Sequence, residues 1–133
     1  AIVSVNEVEP DANPLALFLR SLREFEPLAS NTLVLPSHGR PFQGLHTRLA
    51  QLQAHHAERI ALLEQACRQG DRSAAEVSPF MFGRQIDPNQ SIFALGETLA
   101  HLHLSWHAGT LRRYQDDAGV LWFAAADRER LDV

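Results

Sequence analysis

The feature that most constrains the fold is a long stripe of apolar residues in the middle of the chain. Its members recur at helical spacing, close to a heptad rhythm, and predict one long helix from about His46 to Gln69. Gly70 follows directly and is the expected end of this helix, because glycine readily adopts the backbone conformation that terminates helices. The stripe comprises Leu45, Leu49, Leu52, His56, Ile60, Leu63 and Cys67.

An earlier amphipathic helix begins at Asn13 and Pro14 and is bounded by Pro27. Asparagine is a good N-cap, and proline fits the first helical position because the missing N–H has no partner there. The residues expected on its buried face are Leu15, Phe18, Leu19, Leu22 and Phe25.

After Gly70, Ser73 and Glu76 predict a capping box and a short helix. A turn is expected at Asp87-Pro88-Asn89, and a third long helix from Ser91 to Ala108. The remaining residues predict a hairpin with strands Leu111 to Tyr114 and Val120 to Phe123, and a polar tail, Ala124 to Val133, that frays.

Before Gly44 the pattern differs from the pattern after it. Short strands are expected at Ile2 to Val5 and at Thr32 to Leu35, with the first helix between them. After Gly44 come three helices and a hairpin, which is the order of a winged-helix module. The sequence therefore predicts a mostly helical α+β fold in two parts: a strand–helix–strand piece over 1–44 and a winged-helix-like domain over 45–133.

Composition excludes several classes of protein. Hydrophobic residues make up 45% of the 133 residues and charged residues 21%, which is typical of a globular domain and not of a disordered chain. The net charge of −4 does not favour nucleic acid as a partner, because phosphate binding needs clustered Lys and Arg. A single cysteine, Cys67, allows no internal disulfide, so we expect a cytoplasmic protein. No apolar run approaches the length needed to span a bilayer.

The most specific chemical signal is a lone histidine in a tight loop. The expected strand Thr32 to Leu35 runs into Pro36-Ser37-His38-Gly39, so His38 lies at the tip of a Pro/Gly-rich turn. Such loops present side chains rigidly, and histidine binds metal or moves protons near neutral pH. One histidine cannot hold a catalytic zinc, which needs about three protein ligands. A loop histidine bonded to backbone or water is the alternative.

The segment Leu35-Pro36-Ser37-His38-Gly39 resembles the last metal-ligand motif of the metallo-β-lactamase superfamily, Leu-Pro-Gly-His-Gly, with Ser37 in place of a glycine. The helix that begins at Pro14 is similar to the penultimate helix of that family. His55-His56-x-x-Arg59 is similar to a His-Arg-x-x-Arg helix in its β-lactamase-like hydrolases, which carry a C-terminal winged-helix extension. The resemblance covers nearly the whole chain except the last ten residues.

The resemblance implies that His38 is a metal ligand in a zinc-dependent hydrolase with two metal ions. That enzyme would cleave an ester, thioester, amide or related bond. The family signature His-x-His-x-Asp-His has no counterpart: His101-x-His103 matches its first half, but Ser105 and Trp106 follow where Asp and His are needed.

We therefore expect this chain to be the C-terminal region of such a hydrolase. It would be inactive alone, its metal site would be unoccupied, and its partner would be a preceding lactamase domain. The chain begins with alternation typical of a strand already under way, which also favours a fragment. Simple removal of an initiator Met is the alternative.

Other histidines have structural alternatives. The resemblance gives His55, His56 and Arg59 a role beside the metal ligands or between domains, whereas most such helical histidines are simply packing residues. His103 and His107 are four residues apart and share a face, but no further ligand follows at a usable spacing, so a surface or groove-lining pair is the better interpretation.

The competing functions are a non-catalytic interaction or dimerisation module and a DNA-binding winged helix. The latter is disfavoured by a third helix without Lys or Arg. Strands that lack sheet neighbours also predict self-association through their exposed edges.

Overall fold

The computed structural model describes residues 3–83 and 87–126 and confirms a mostly helical α+β fold. Within these residues the structure has four helices and one antiparallel pair of strands. The elements, in chain order, are α1 (Pro14–Arg23), α2 (Leu45–Gln69), α3 (Ala74–Phe82), α4 (Pro88–Ala108), β1 (Leu111–Gln115) and β2 (Leu121–Ala125).

Several helix ends follow the predicted local chemistry, whereas at the start of α1 the Asn13 side chain makes no capping hydrogen bond. α3 has the predicted capping box, because the Ser73 hydroxyl accepts from the Glu76 N–H while the Glu76 carboxylate accepts from the Ser73 N–H. Gly70 caps α2 as predicted. The turn expected at Asp87-Pro88-Asn89 is instead the start of α4: Pro88 occupies the first helical position, and the Asp87 carboxylate accepts from the Asn89 N–H at 3.0 Å.

Neither strand predicted before Gly44 forms a regular strand in the described residues. Val3 to Val5 is extended but bonds to a helix, since the Val5 N–H donates to the Gly96 carbonyl at 3.1 Å. The segment Thr32 to Leu35 contributes a single bridge between Val34 and Phe42. An extended segment with one side buried against a helix shows the same alternation of apolar residues as a strand. The sequence pattern therefore does not distinguish the two.

Both strands of the hairpin extend past their predicted ends, β1 by one residue and β2 by two. β1 and β2 pair in a register that places Leu111 opposite Ala125 and Gln115 opposite Leu121. Ala124 and Ala125, expected to begin a frayed tail, are buried in this strand. The rest of that tail, from residue 127, lies outside the described residues, as does Ile2.

The core centres on α4, which is covered on several sides. Leu102 packs with α2, α3 and the hairpin, whereas Ala100 packs with Leu15 of α1 and Val5 of the N-terminal segment. A side chain on Gly96 would collide with the Ser4 hydroxyl, so the absence of a side chain permits this close approach. Apolar contacts therefore join residues on both sides of Gly44. The division of the chain into parts 1–44 and 45–133 stays a prediction.

Candidate functional site

His38 lies at the exposed tip of a closed loop. Two backbone hydrogen bonds join the ends of this loop: the Val34 N–H donates to Phe42 O at 2.8 Å, and the Phe42 N–H donates to Val34 O at 3.1 Å. Gly39 adopts a positive φ of 96°, which permits the sharp reversal. Within the described residues the imidazole has no hydrogen-bond partner, so both ring nitrogens of His38 remain available to a ligand.

The structure brings His56 and Arg59 of α2 against α4. His56 Nδ1 lies 2.9 Å from His101 Nε2, and Arg59 Nη1 lies 3.4 Å from Glu97 Oε2. His55 is exposed beside them, with its ring centroid 5.5 Å from that of His56. These two links, one between histidines and one between opposite charges, join the middle of α2 to the middle of α4.

The hydrogen bonds fix the tautomers of the two linked histidines. His101 Nδ1 lies 2.7 Å from the Glu97 carbonyl oxygen, which only accepts, so His101 Nδ1 carries the proton. In the neutral ring His101 Nε2 then accepts from His56 Nδ1–H. His56 Nε2 is left with a free lone pair, and it has no protein partner among residues 3–83 and 87–126.

Burial keeps both linked rings neutral near pH 7. Desolvation lowers the pKa of His101 from 6.5 to about 4, although its bond to the Glu97 carbonyl opposes the shift. Desolvation also lowers the pKa of His56, with smaller contributions from His55 and Arg59. Neutral imidazoles preserve the donor–acceptor chain, because protonated His101 would lose the acceptor that faces His56.

These residues line a cleft between α1, α2 and α4 with a volume of about 580 Å³. A neighbouring groove of about 410 Å³ begins at Phe42, beside the His38 loop, and shares Arg48 and Gln51 with the cleft. We call the two together the α2 groove. Its polar lining residues on α2 are Thr47, Arg48, Gln51, His55, His56 and Arg59.

His103 and His107 attach the N-terminal segment to α4. His103 Nδ1–H donates to the Ala12 carbonyl and His107 Nε2–H to the Asp11 carbonyl, both at 2.9 Å. Arg113 of β1 completes the contact: its guanidinium binds Asp11 at 2.7 Å and lies 3.7 Å from the Trp106 ring centroid. His103 and His107, on one face of α4, therefore have a structural role: they hold the N-terminal segment against this helix.

The buried thiol of Cys67 is not a reactive group. Cys67 is fully buried, and desolvation raises its pKa to about 11, so the nucleophilic thiolate is disfavoured near neutral pH.

The described residues do not by themselves fit the zinc that the resemblance implies. They contain no group of three or more His, Cys, Asp or Glu side chains placed to hold a metal ion. His38 could supply at most one ligand, and the remaining ligands would have to come from another polypeptide segment.

The family model for the metallo-beta-lactamase-like C-terminal domain matches residues 60–126, about half of the chain. The chain belongs to this metallo-β-lactamase-like family. A comparison with proteins of curated function finds no match.

Two solved structures are similar along most of the chain. A beta-lactamase domain protein from Burkholderia ambifaria is 53% identical, with a TM-score of 0.91, over 94% of this chain and 37% of its own. A metallo-beta-lactamase family protein from Thermus thermophilus is 28% identical, with a TM-score of 0.68, over 92% of this chain and 40% of its own. The chain thus spans about two fifths of the length of these relatives. In the part that the structure describes, no helix is long and apolar enough to cross a bilayer.

Sequence reasoning did not anticipate that Glu97 and His101 meet the predicted residues His56 and Arg59. The available signal was the spacing of Glu97 and His101 at i and i+4, which places both side chains on one face of α4. The place of Arg48 in the groove was also missed, because only the packing of α1 and α4 against α2 creates a cleft there.

Proposed function

We propose that this chain is the C-terminal region of a metal-dependent metallo-β-lactamase-like hydrolase. Residues 1–44 would end the lactamase domain, and residues 45–133 would form a winged-helix-like extension. Family membership supports this function, and so does the length of the two solved relatives, which extend well beyond the matched region. The order of three helices and a hairpin after Gly44 supports the winged-helix assignment.

The observation that carries the proposal is the presentation of His38. Its loop is closed by two backbone bonds between Val34 and Phe42, and its ring projects from the surface without a partner in the described residues. A closed loop holds the imidazole in position before the other ligands arrive. In the assembled enzyme, a bound metal ion would polarise the bond to be hydrolysed and activate water.

The extension would shape the entrance to that site. The α2 groove starts at Phe42, whose backbone closes the His38 loop, and continues along α2 to His101. His56 and Arg59 would act as positioning residues, since their links to α4 hold the walls of the groove together. A dimerisation role for the extension is an alternative within the same proposal.

Hydrolysis of a generic ester tests the proposal. The 133-residue chain should show no metal-dependent turnover, whereas a longer polypeptide with the lactamase domain should show it. In that longer protein, His38→Ala should lower kcat/KM by more than about 100-fold, because even residues that only support metal ligands are worth 10–100-fold. His46→Ala is the matched control, since His46 is also exposed but donates to the Leu28 carbonyl. Metal-dependent turnover by the 133-residue chain, or an active His38→Ala variant, would contradict the proposal.

A non-catalytic interaction module is the second candidate, and the exposed leucines favour it. Leu33 is 57% exposed and Leu35 73% exposed, next to the His38 loop. A DNA-binding winged helix has the least support. Its recognition helix must reach the major groove, but α4 contains no Lys or Arg and is covered by α1 and the N-terminal segment. A cytoplasmic location remains part of the proposal, consistent with the single buried cysteine.

A further inference from the structure

The α2 groove combines a defined shape with an excess of positive charge. Arg48 and Arg59 contribute the permanent charges on its walls, and Glu97 is the single carboxylate among the described lining residues. This local balance is opposite to that of the whole chain, whose net charge is −4. A basic cleft in an acidic protein is expected to concentrate anions at that position.

The internal contacts of the groove leave donors available. Glu97 is engaged by Arg59 through one nitrogen, Nη1, at 3.4 Å, so the other N–H groups of that guanidinium are not used by Glu97. Arg59 is also held in place by its stacking on Phe82, with 4.7 Å from Cζ to the ring centroid. Arg48 is exposed and forms no ion pair within residues 3–83 and 87–126.

The α2 helix aligns these groups in one direction. Arg48, Gln51, His55 and Arg59 follow at spacings of three or four residues, so they share one face of α2. The same face borders Phe42 at the base of the His38 loop. The neutral His56 ring adds an acceptor, because its Nε2 lone pair is free while Nδ1–H is committed to His101. The groove thus offers cationic donors together with a neutral acceptor at His56.

We propose that the α2 groove binds the oxyanion group, a carboxylate or a phosphate monoester, of a small-molecule substrate. Arg48 and Arg59 would bind the oxyanion, with Gln51 as an additional donor. The binding site itself depends only on this chain, whereas its role as a substrate subsite depends on the proposed hydrolase function. The substrate would then carry its negative charge at some distance from the bond that is cleaved near His38.

Titration with inorganic phosphate and with acetate, at constant ionic strength, tests the proposal on the 133-residue chain. Binding is followed by backbone and imidazole NMR shifts and by the ligand-linked rise in Tm. We expect shifts at Arg48, Gln51 and His55. Arg48→Gln should weaken binding by about tenfold or more, the value of a charge-assisted hydrogen bond. Arg20→Gln, an exposed arginine on α1 outside the groove, is the matched control.

The two anions identify the chemical source of the oxyanion. Tighter binding of phosphate assigns a phosphate monoester, and tighter binding of acetate assigns a carboxylate. Equal weakening by Arg48→Gln and Arg20→Gln would overturn the proposal, because it would reveal only nonspecific attraction. The absence of saturable shifts at the groove residues would also overturn it. Neither result concerns His38. If the anion site fails but the longer protein still hydrolyses a neutral ester in a metal-dependent reaction, only the anion site is refuted and the proposed hydrolase function stands.

Discussion

At the scale of single residues, five of the seven histidines of this protein illustrate three different roles, each set by the surroundings of the ring. His38 is exposed and has no partner in the described residues, His56 and His101 form a neutral linked pair, and His103 and His107 hold backbone carbonyls. The residue type alone did not distinguish these roles. What separates them is burial together with a fixed carbonyl acceptor, which determines the tautomers of His101, His103 and His107.

The buried ring of His101 should make the fold sensitive to acid. The pKa of His101 is about 4 in the folded chain, whereas the ordinary value of 6.5 applies to the unfolded chain. Between these two pH values the unfolded chain therefore binds more protons than the folded chain. The contribution of neutral His101 to the free energy of unfolding is therefore complete above pH 6.5 and is lost as the pH falls toward 4. The full shift corresponds to about 3 kcal/mol of unfolding free energy.

Urea unfolding at a series of pH values between 7 and 4 measures this effect. His101→Gln should be less stable than the parent chain at pH 7 because it disrupts the link to His56, but its stability should decline less steeply with acid. His38→Asn is the control, because His38 is exposed and its replacement should leave the slope unchanged. A His101→Gln variant with the parent slope would show that His101 is protonated equally in both states.

At the scale of elements, α4 is held by contacts from residues far away in sequence. Arg113 reaches from β1 to Asp11, His103 and Trp106, and so joins the hairpin, α4 and the N-terminal segment. Arginine suits this place because one planar group both donates two hydrogen bonds and stacks on an indole ring.

Replacing Arg113 by Lys should test that geometry. Lys keeps the charge but cannot donate in parallel or stack as a plane, so we expect Arg113→Lys to lose about 1 kcal/mol of stability, nearly as much as Arg113→Gln. Hydrogen exchange should also show faster opening of the segment around Ala12. The control is Arg20→Gln on the exposed side of α1, which should stay within about 0.5 kcal/mol. If Arg113→Lys retains full stability, charge alone accounts for the contact.

The elements themselves were largely predictable from the sequence, whereas their contacts were not. The stripe from Leu45 to Cys67, the Ser73 capping box and the predicted end of the third helix at Ala108 come from local signals, and each appears in the structure. The strands predicted at Ile2 to Val5 and at Thr32 to Leu35 do not form in the described residues, because Val3, Val5 and Val34 pack on helices. The meeting of His56 with His101, 45 residues apart, depends on how α2 packs against α4, and the spacing of Glu97 and His101 does not identify His56 as the partner.

At the scale of the whole molecule, the region beside His38 retains an exposed apolar surface. Leu35 is 73% exposed, and this fits a surface that another polypeptide covers. The self-association expected through the predicted strands remains a prediction, although these segments are not regular strands in residues 3–83.

Sedimentation velocity over a range of concentrations should reveal that association, and Leu35→Glu should weaken it by placing a charge in the contact. The variant should keep its stability within about 0.5 kcal/mol, because the side chain is exposed. Leu17→Glu, on an α1 residue that is 63% exposed, is the matched control and should leave association unchanged. A chain that stays monomeric at high concentration would contradict the prediction.

The attachment of the N-terminal segment to α4 affects how this polypeptide could be divided or recombined. Val5 and Leu15 fill the apolar surface around Ala100, while His103 and His107 bind the backbone at Ala12 and Asp11. A truncated version beginning at Leu45 would expose that surface to water and leave the two imidazoles without their carbonyls. A functional chimera with a relative should therefore exchange the N-terminal segment and α4 together, because each supplies contacts that the other needs.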